Sequence, residues 1–271
     1  MLETGRGAVH KAPRAAAPDR QRTRKQVIRL NPALDVEALA TDYAARRRLQ
    51  VRDLLVEEDA ERIHAMLLEE TPWWVAFNEG NKVNQLRPED VRRLSPQQIQ
   101  QIMAGIQARA QVEYQFLYEY YPLFSKYFTP GAERLPVFEV YEFINSAPML
   151  DFFRRLTGRP EIRWADGHAT LYRAGHFLKY HTDEKPEDQR VAAYVMNFTK
   201  GWGRDWGGFL QFFNDRYDVE EAYRPVFNAL NIFTVPMDHS VNMVTSFSPG
   251  LRFSVTGWLR ADAPPGPIGA G

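Results

Sequence analysis

"LKYHTDEKPEDQRVAAYVMNF", residues 178–198, sets a short charged loop between two stretches of alternating polarity. Alternation with a period of two marks a strand with one packed face, so the segment predicts strand, loop, strand. Side chains two residues apart on a strand point the same way. His181 and Asp183 therefore share a face, and such a pair can hold one ion from two corners of a coordination face. On its own the pair is a weak signal, and two polar residues at a strand end is the readier reading. The loop "EKPEDQ", residues 184–189, follows directly; it reads first as a solvated turn and second as a lid over whatever the pair faces.

The same texture continues around this stretch. From about residue 160 the chain breaks into "HATLYR", "FLKYHTD", "RVAAYVMNFT", "GGFLQFFN", "FNALNIFTVP", "HSVNMVTSF" and "RFSVTGWLR", separated by Gly, Asp or Pro. Seven short strands at this spacing predict a sandwich or barrel. Upstream the periods are helical. Residues 31–48 read as a helix capped at Asn31-Pro32, and residues 57–70 as an amphipathic helix with Ile63, Met66 and Leu67 on one stripe. Residues 95–124 read as a long helix opened by Ser95-Pro96, and residues 147–158 as a short helix ended by Gly158. Residues 49–56 and 72–79 read as strands. The expected organisation is α+β: a basic disordered tail over 1–27, a helical support region with edge strands over 28–159, a barrel core over 160–262 and a disordered tail over 263–271.

Composition narrows the chemistry. The 271 residues include no cysteine, which excludes disulfides, thiolate metal sites and cysteine nucleophiles. A metal would need His and carboxylate ligands. Lys plus Arg and Asp plus Glu both count 34, so the whole chain exerts no strong pull on nucleic acid or membrane. No apolar run approaches membrane-spanning length and the first 30 residues lack the apolar core of a secretory signal, so the cytoplasm is the expected location.

Downstream residues raise the weight of the His-x-Asp pair. His239, in "VPMDHSVNMV", stands where one alternating strand ends and another begins, a position that faces a barrel mouth. Two histidines and one carboxylate from separate strands make a facial triad, which leaves positions open for oxygen and a cosubstrate. In "LRFSVTGWLR" alternation puts Arg252, Ser254, Thr256 and Trp258 on one face. An Arg aimed into a barrel needs an anion. A bound dicarboxylate would satisfy it through a bidentate pair, with Ser254 or Thr256 as hydroxyl donors; a structural bridge to a distant Asp or Glu would satisfy it equally.

The ordered set Tyr172, His181-x-Asp183, His239 and Arg252-x-Ser254 resembles the Fe(II)/2-oxoglutarate-dependent dioxygenases, and within them the prolyl 4-hydroxylase-like branch. The resemblance covers about residues 160–260. It implies a double-stranded β-helix, with His181, Asp183 and His239 as iron ligands. It also implies Arg252, assisted by Ser254 or Thr256, on the distal carboxylate of 2-oxoglutarate, Tyr172 bordering the cosubstrate, and Arg190 and Trp258 on the substrate side. Asn197 stands where relatives often place a tyrosine that touches 2-oxoglutarate; a hydrogen bond from its amide is the expected substitute. Alternation puts Asn197 on the face opposite Arg190, Ala192 and Tyr194. The implied cofactors are Fe(II), 2-oxoglutarate and O2, with ascorbate as an accessory. The implied reaction is hydroxylation of a substrate C–H, foremost a prolyl residue in a protein or peptide, and otherwise a free amino acid or small metabolite. Two further readings weigh less. A nucleic-acid demethylase would carry a second Arg six residues after Arg252, where this chain has Trp258, and a non-catalytic barrel would be expected to have lost part of the set.

Overall fold

The computed structural model describes residues 27–268. The tail expected over 1–27 lies outside the described residues, apart from the exposed Val27. At the other end residues 269–271 lie outside them; residues 263–268, expected not to pack, bring Ile268 against the main core.

The chain begins with α1 (Val36–Arg46), β1 (Arg48–Arg52) and α2 (Glu57–Ala65), which runs on into a π-helical turn at Met66–Glu70. Asp35, not Asn31, caps α1, accepting from the Ala38 N–H. Asn31 instead accepts from the Ala33 N–H and donates to the Asp53 carbonyl, a local Asx arrangement that competes with a helix start. The hairpin of β2 (Trp74–Glu79) and β3 (Lys82–Leu86) follows, then α3 (Pro88–Arg93) and α4 (Pro96–Val112). Ser95 and Gln98 close a reciprocal capping box at the start of α4, as Ser95-Pro96 predicts.

The long helix expected to reach residue 124 stops at Val112. Residues Phe116–Tyr121 form β4, because an aromatic run of this kind fits a pleated, half-buried surface better than a helix. Then come α5 (Leu123–Tyr127), α6 (Phe138–Ile144) and α7 (Ala147–Thr157), the last ended by Gly158 in the left-handed conformation.

The remaining strands are β5 (Trp164–Ala165), β6 (His168–Tyr172), β7 (Phe177–His181), β8 (Arg190–Asn197), β9 (Leu210–Phe213), β10 (Val219–Tyr223), β11 (Ala229–Thr234), β12 (His239–Val241) and β13 (Arg252–Arg260). The main sheet runs β1-β11-β8-β13-β6-β4-β7-β12-β9-β10 with antiparallel pairing throughout, and it curls into a nearly closed jelly-roll barrel. This is the double-stranded β-helix. Two strands of this run, β1 and β4, come from the N-terminal half. Along one edge β4 pairs with β7 through Phe116 and Leu117 and with β6 through Glu119, Tyr120 and Tyr121; along the other it pairs with β2.

Alternation on β13 and β8 sorts side chains between two interiors. Phe253, Val255 and Leu259, with Ala192, Tyr194 and Met196, face the helices and join Tyr141, Phe138 and Phe153 in the larger core. Each such aromatic contributes on the order of 2–3 kcal/mol when fully buried. Arg252, Ser254, Thr256 and Trp258, with Ala193 and Val195, face the barrel interior. The wall behind Arg252 depends on two glycines. Gly207 has φ +67°, and a Cβ there would lie 2.1 Å from the Met243 carbonyl oxygen; a Cβ on Gly208 would lie 3.3 Å from Arg252 Cδ. Gly207→Ala is expected to destabilise the protein by about 3 kcal/mol in denaturant unfolding. Gly201→Ala, at φ +61° but in open space, should cost only about 1 kcal/mol.

Candidate active site

His181 ends β7 and His239 opens β12, and the two are register partners. Their ring centroids are 4.1 Å apart. Asp183, just beyond β7, reaches back to both: Oδ1 lies 3.5 Å from His181 Nε2 and Oδ2 lies 3.4 Å from His239 Nε2. One ligand atom from each residue falls within 4.8 Å of the others. Each ring is also oriented from behind. His181 Nδ1 meets the Lys179 carbonyl and His239 Nδ1 the Met237 carbonyl, both at 2.8 Å. A carbonyl can only accept, so each Nδ1 carries the proton and each Nε2 lone pair is free to ligate.

Burial alone would raise the Asp183 carboxyl; when the rings also carry a proton on Nε2, the hydrogen bond from His181 and the charges of both histidines overcome it and hold the group at about 2. His239 is pushed down to about 4, chiefly by burial and then by the neighbouring His181. Two imidazole nitrogens and a carboxylate on one side of a cavity suit a divalent transition-metal ion with open positions opposite.

The cavity in front of the triad has a volume of about 590 Å³. Arg252 lies in its wall at 2% exposure, with its guanidinium 4.8 Å from the centre of the Tyr172 ring. Burial depresses its pKa, and its Nε is buried without a hydrogen-bond partner. Among the described residues no carboxylate lies within ion-pair distance of it, so the structural bridge allowed by the sequence is not made. Beside it the Ser254 and Thr170 hydroxyls share a 2.7 Å hydrogen bond, and the Thr256 hydroxyl donates to the Tyr194 carbonyl.

Two expected residues sit differently. Asn197 does not line the cavity; its amide nitrogen donates to the Val195 carbonyl at 3.2 Å, and its Oδ1 is buried without a partner. Arg190 was expected on the face opposite Asn197. A register shift between Leu259 and Arg260, where β13 meets β8, turns Arg190 to the cavity side with Ala193 and Val195. There its guanidinium lies 3.7 Å over the Trp258 ring, and it donates to the Asp183 carbonyl and to Asp188 Oδ2. Asp188 also approaches Arg260 at 3.6 Å, so the loop after His181 and Asp183 is latched at its far end.

Alternation could have found two cavity residues that sequence reasoning passed over. His168 and Thr170 are on the same face of β6 as Tyr172. Tyr114, Phe116 and Tyr118 were hidden by reading their segment as helix; as a strand, "YQFLY" puts all three on one face.

The comparisons with known proteins bear on this geometry. Residues 167–260, which carry the triad and Arg252, match the family model for the 2OG-Fe(II) oxygenase superfamily. Over that stretch the barrel is similar to 2OG-Fe(II) oxygenases. Solved structures similar to the chain include a Pseudomonas putida prolyl-4-hydroxylase, 21% identical over 84% of this chain and 100% of that one, with a TM-score of 0.52. An oxidoreductase of the 2OG-Fe(II) oxygenase family from Burkholderia pseudomallei is 12% identical, over 87% and 95% of the two chains, with a TM-score of 0.56. A prolyl hydroxylase from Trichoplax adhaerens, in complex with a hypoxia inducible factor oxygen degradation domain peptide fragment, is 13% identical, over 83% and 89%, with a TM-score of 0.52. At these identities the likeness is one of fold. A search of curated protein sequences found no match. Similarity to this superfamily implies Fe(II) and 2-oxoglutarate, and the barrel has a His-Asp-His set able to hold a metal ion. No helix among the described residues is long and apolar enough to cross a membrane.

The depressed His239 pKa has a measurable consequence for the metal-free domain. As pH falls below about 6.5 the unfolded chain binds the proton first, so stability is complete above that pH and is lost progressively down to about 4. Between pH 7 and pH 5 the loss at His239 should be about 2 kcal/mol. Denaturant titrations of the chelator-treated protein and of His239→Gln should show this part of the pH dependence disappear in the variant.

Proposed function

We propose that this chain is an Fe(II)- and 2-oxoglutarate-dependent hydroxylase of a prolyl residue in a protein or peptide. His181 Nε2, Asp183 and His239 Nε2 would hold the metal. Arg252 would take the distal carboxylate of 2-oxoglutarate, with Ser254 offering a hydroxyl and Tyr172 bordering the cosubstrate, while the Thr256 hydroxyl stays committed to the Tyr194 carbonyl. When bound, the metal couples O2 to two oxidations, 2-oxoglutarate to succinate and CO2 and a substrate C–H to C–OH. The chain's own residues bind and orient: the Nδ1–carbonyl bonds fix the ligand rings, Arg190 braces the Asp183 backbone, and the apolar wall of Leu178, Ala193, Phe233 and Val241 keeps water from the reacting end.

One observation carries this reading. Arg252 is a buried, unpaired guanidinium in the cavity that also holds the triad. Such a charge is satisfied by an anion, and the fork of a guanidinium fits a carboxylate bidentately. The prolyl specificity draws on the prolyl hydroxylases among the similar structures, one of them with a bound peptide, and on the aromatic lining from Tyr114 and Trp258, which suits an aliphatic ring. The cytoplasmic placement expected from composition belongs to the same reading.

Anaerobic Fe(II)-loaded protein should develop a visible metal-to-ligand charge-transfer band on addition of 2-oxoglutarate. Arg252→Gln should weaken that titration by about 100-fold with Fe(II) binding retained, and His181→Ala should abolish the band. A wild-type protein that shows no band overturns the oxygenase reading. Succinate release should rise with proline-containing peptides; a rise with small-metabolite pools alone would instead assign a free amino acid or metabolite substrate.

A further inference from the structure

β4 lies outside the residues matched by the family model, yet its side chains form part of the cavity wall. Tyr118 sits at a fork in the sheet. Leu117 pairs with Phe177 on β7 and Glu119 pairs with Leu171 on β6, so Tyr118 falls where the two strands diverge and the cavity opens between them. Its ring stacks on Tyr172 at 5.2 Å and 20°, and Tyr172 in turn lies under the Arg252 guanidinium. On the other side Phe116, 5.2 Å from Tyr118, leads to Tyr114, whose ring is 5.6 Å from His181. Tyr118 therefore stands between the Arg252 end of the cavity and the metal triad. Its hydroxyl makes no hydrogen bond to a described residue, and Asn197, whose amide was expected to bind the cosubstrate, does not line the cavity.

We infer that Tyr118 is a cosubstrate-binding residue, its hydroxyl donating a hydrogen bond to the 2-oxo acid end of bound 2-oxoglutarate, the end nearer the triad. This rests on the function proposed above. Burial, reinforced by the charge of Asp183, pushes the Tyr118 hydroxyl up to about 12, so at neutral pH it is protonated and able to donate. A donor in a buried wall is suited to an anionic acceptor. The N-terminal half thereby contributes a binding group from a strand far removed in sequence from the other members of the site.

The test is calorimetric titration of Mn(II)-loaded protein, without turnover, using 2-oxoglutarate and oxalate; oxalate has the metal-end chemistry of a 2-oxo acid but nothing to reach Arg252. In Tyr118→Phe, which keeps the ring and its stack on Tyr172, both ligands should bind about 10-fold more weakly with Mn(II) affinity unchanged. In Arg252→Gln only 2-oxoglutarate should weaken. If the wild type binds 2-oxoglutarate through Arg252 but Tyr118→Phe matches it, the inference falls and the proposed function stands. The inference also falls if Tyr118→Phe loses affinity for 2-oxoglutarate alone, since the hydroxyl would then act at the distal end. Failure of the wild type to bind 2-oxoglutarate overturns both.

Discussion

A guanidinium held at 2% exposure, with no carboxylate beside it among the described residues, is the constraint around which this molecule is arranged. Removing a cation from water without a partner costs several kcal/mol, so the surrounding structure must hold it in place against that cost. Three features do so. β13 is paired along both edges, to β6 and to β8, and cannot slip by one residue without sending Phe253 and Val255 into the cavity. The Tyr172 ring offers its electron-rich face to the charge. Gly208 leaves the space that the Arg252 stem occupies.

The triad is organised by the same kind of constraint. Antiparallel pairing of β7 with β12 sets His181 opposite His239, and a backbone carbonyl two residues before each histidine fixes the ring. Asp183 lies just past the strand, where the chain is free to turn its carboxylate between the two rings. The donors thus face one point from the ends of two strands, with the loop behind them fastened by Asp188 to Arg190 and Arg260.

How much of this was legible in the sequence depends on where a single rule sufficed. A period of two applied to "FLKYHTD" and "RFSVTGWLR" was enough to bring together His181 with Asp183 and Arg252 with Ser254, Thr256 and Trp258, although Asp183 lies past the end of β7 and the pairing of β7 with β12 carries a register shift. The rule failed at Arg190, because a register shift adds one residue to the count, and nothing local in the sequence marks it. It was never applied to residues 114–121, because a long helical period upstream carried the reading past Val112. Asn31 was misplaced for a third reason: capping residues also make local turns, and only the partner carbonyl of Asp53, a residue 22 positions away, decides between the two.

The insertion of β4 between β6 and β7 bears on how the molecule comes to be folded. β6 and β7 are neighbours in the chain, joined by a short turn, yet part of the space between them is bridged by a strand some fifty residues earlier. Pairings of that sequence separation close late and slow the search for the native topology. A fragment starting at residue 160 would contain His181, Asp183, His239 and Arg252, but its barrel would have a seam where β4 belongs, with strand edges open to association. The residues that the family model matches are therefore fewer than those that build the barrel.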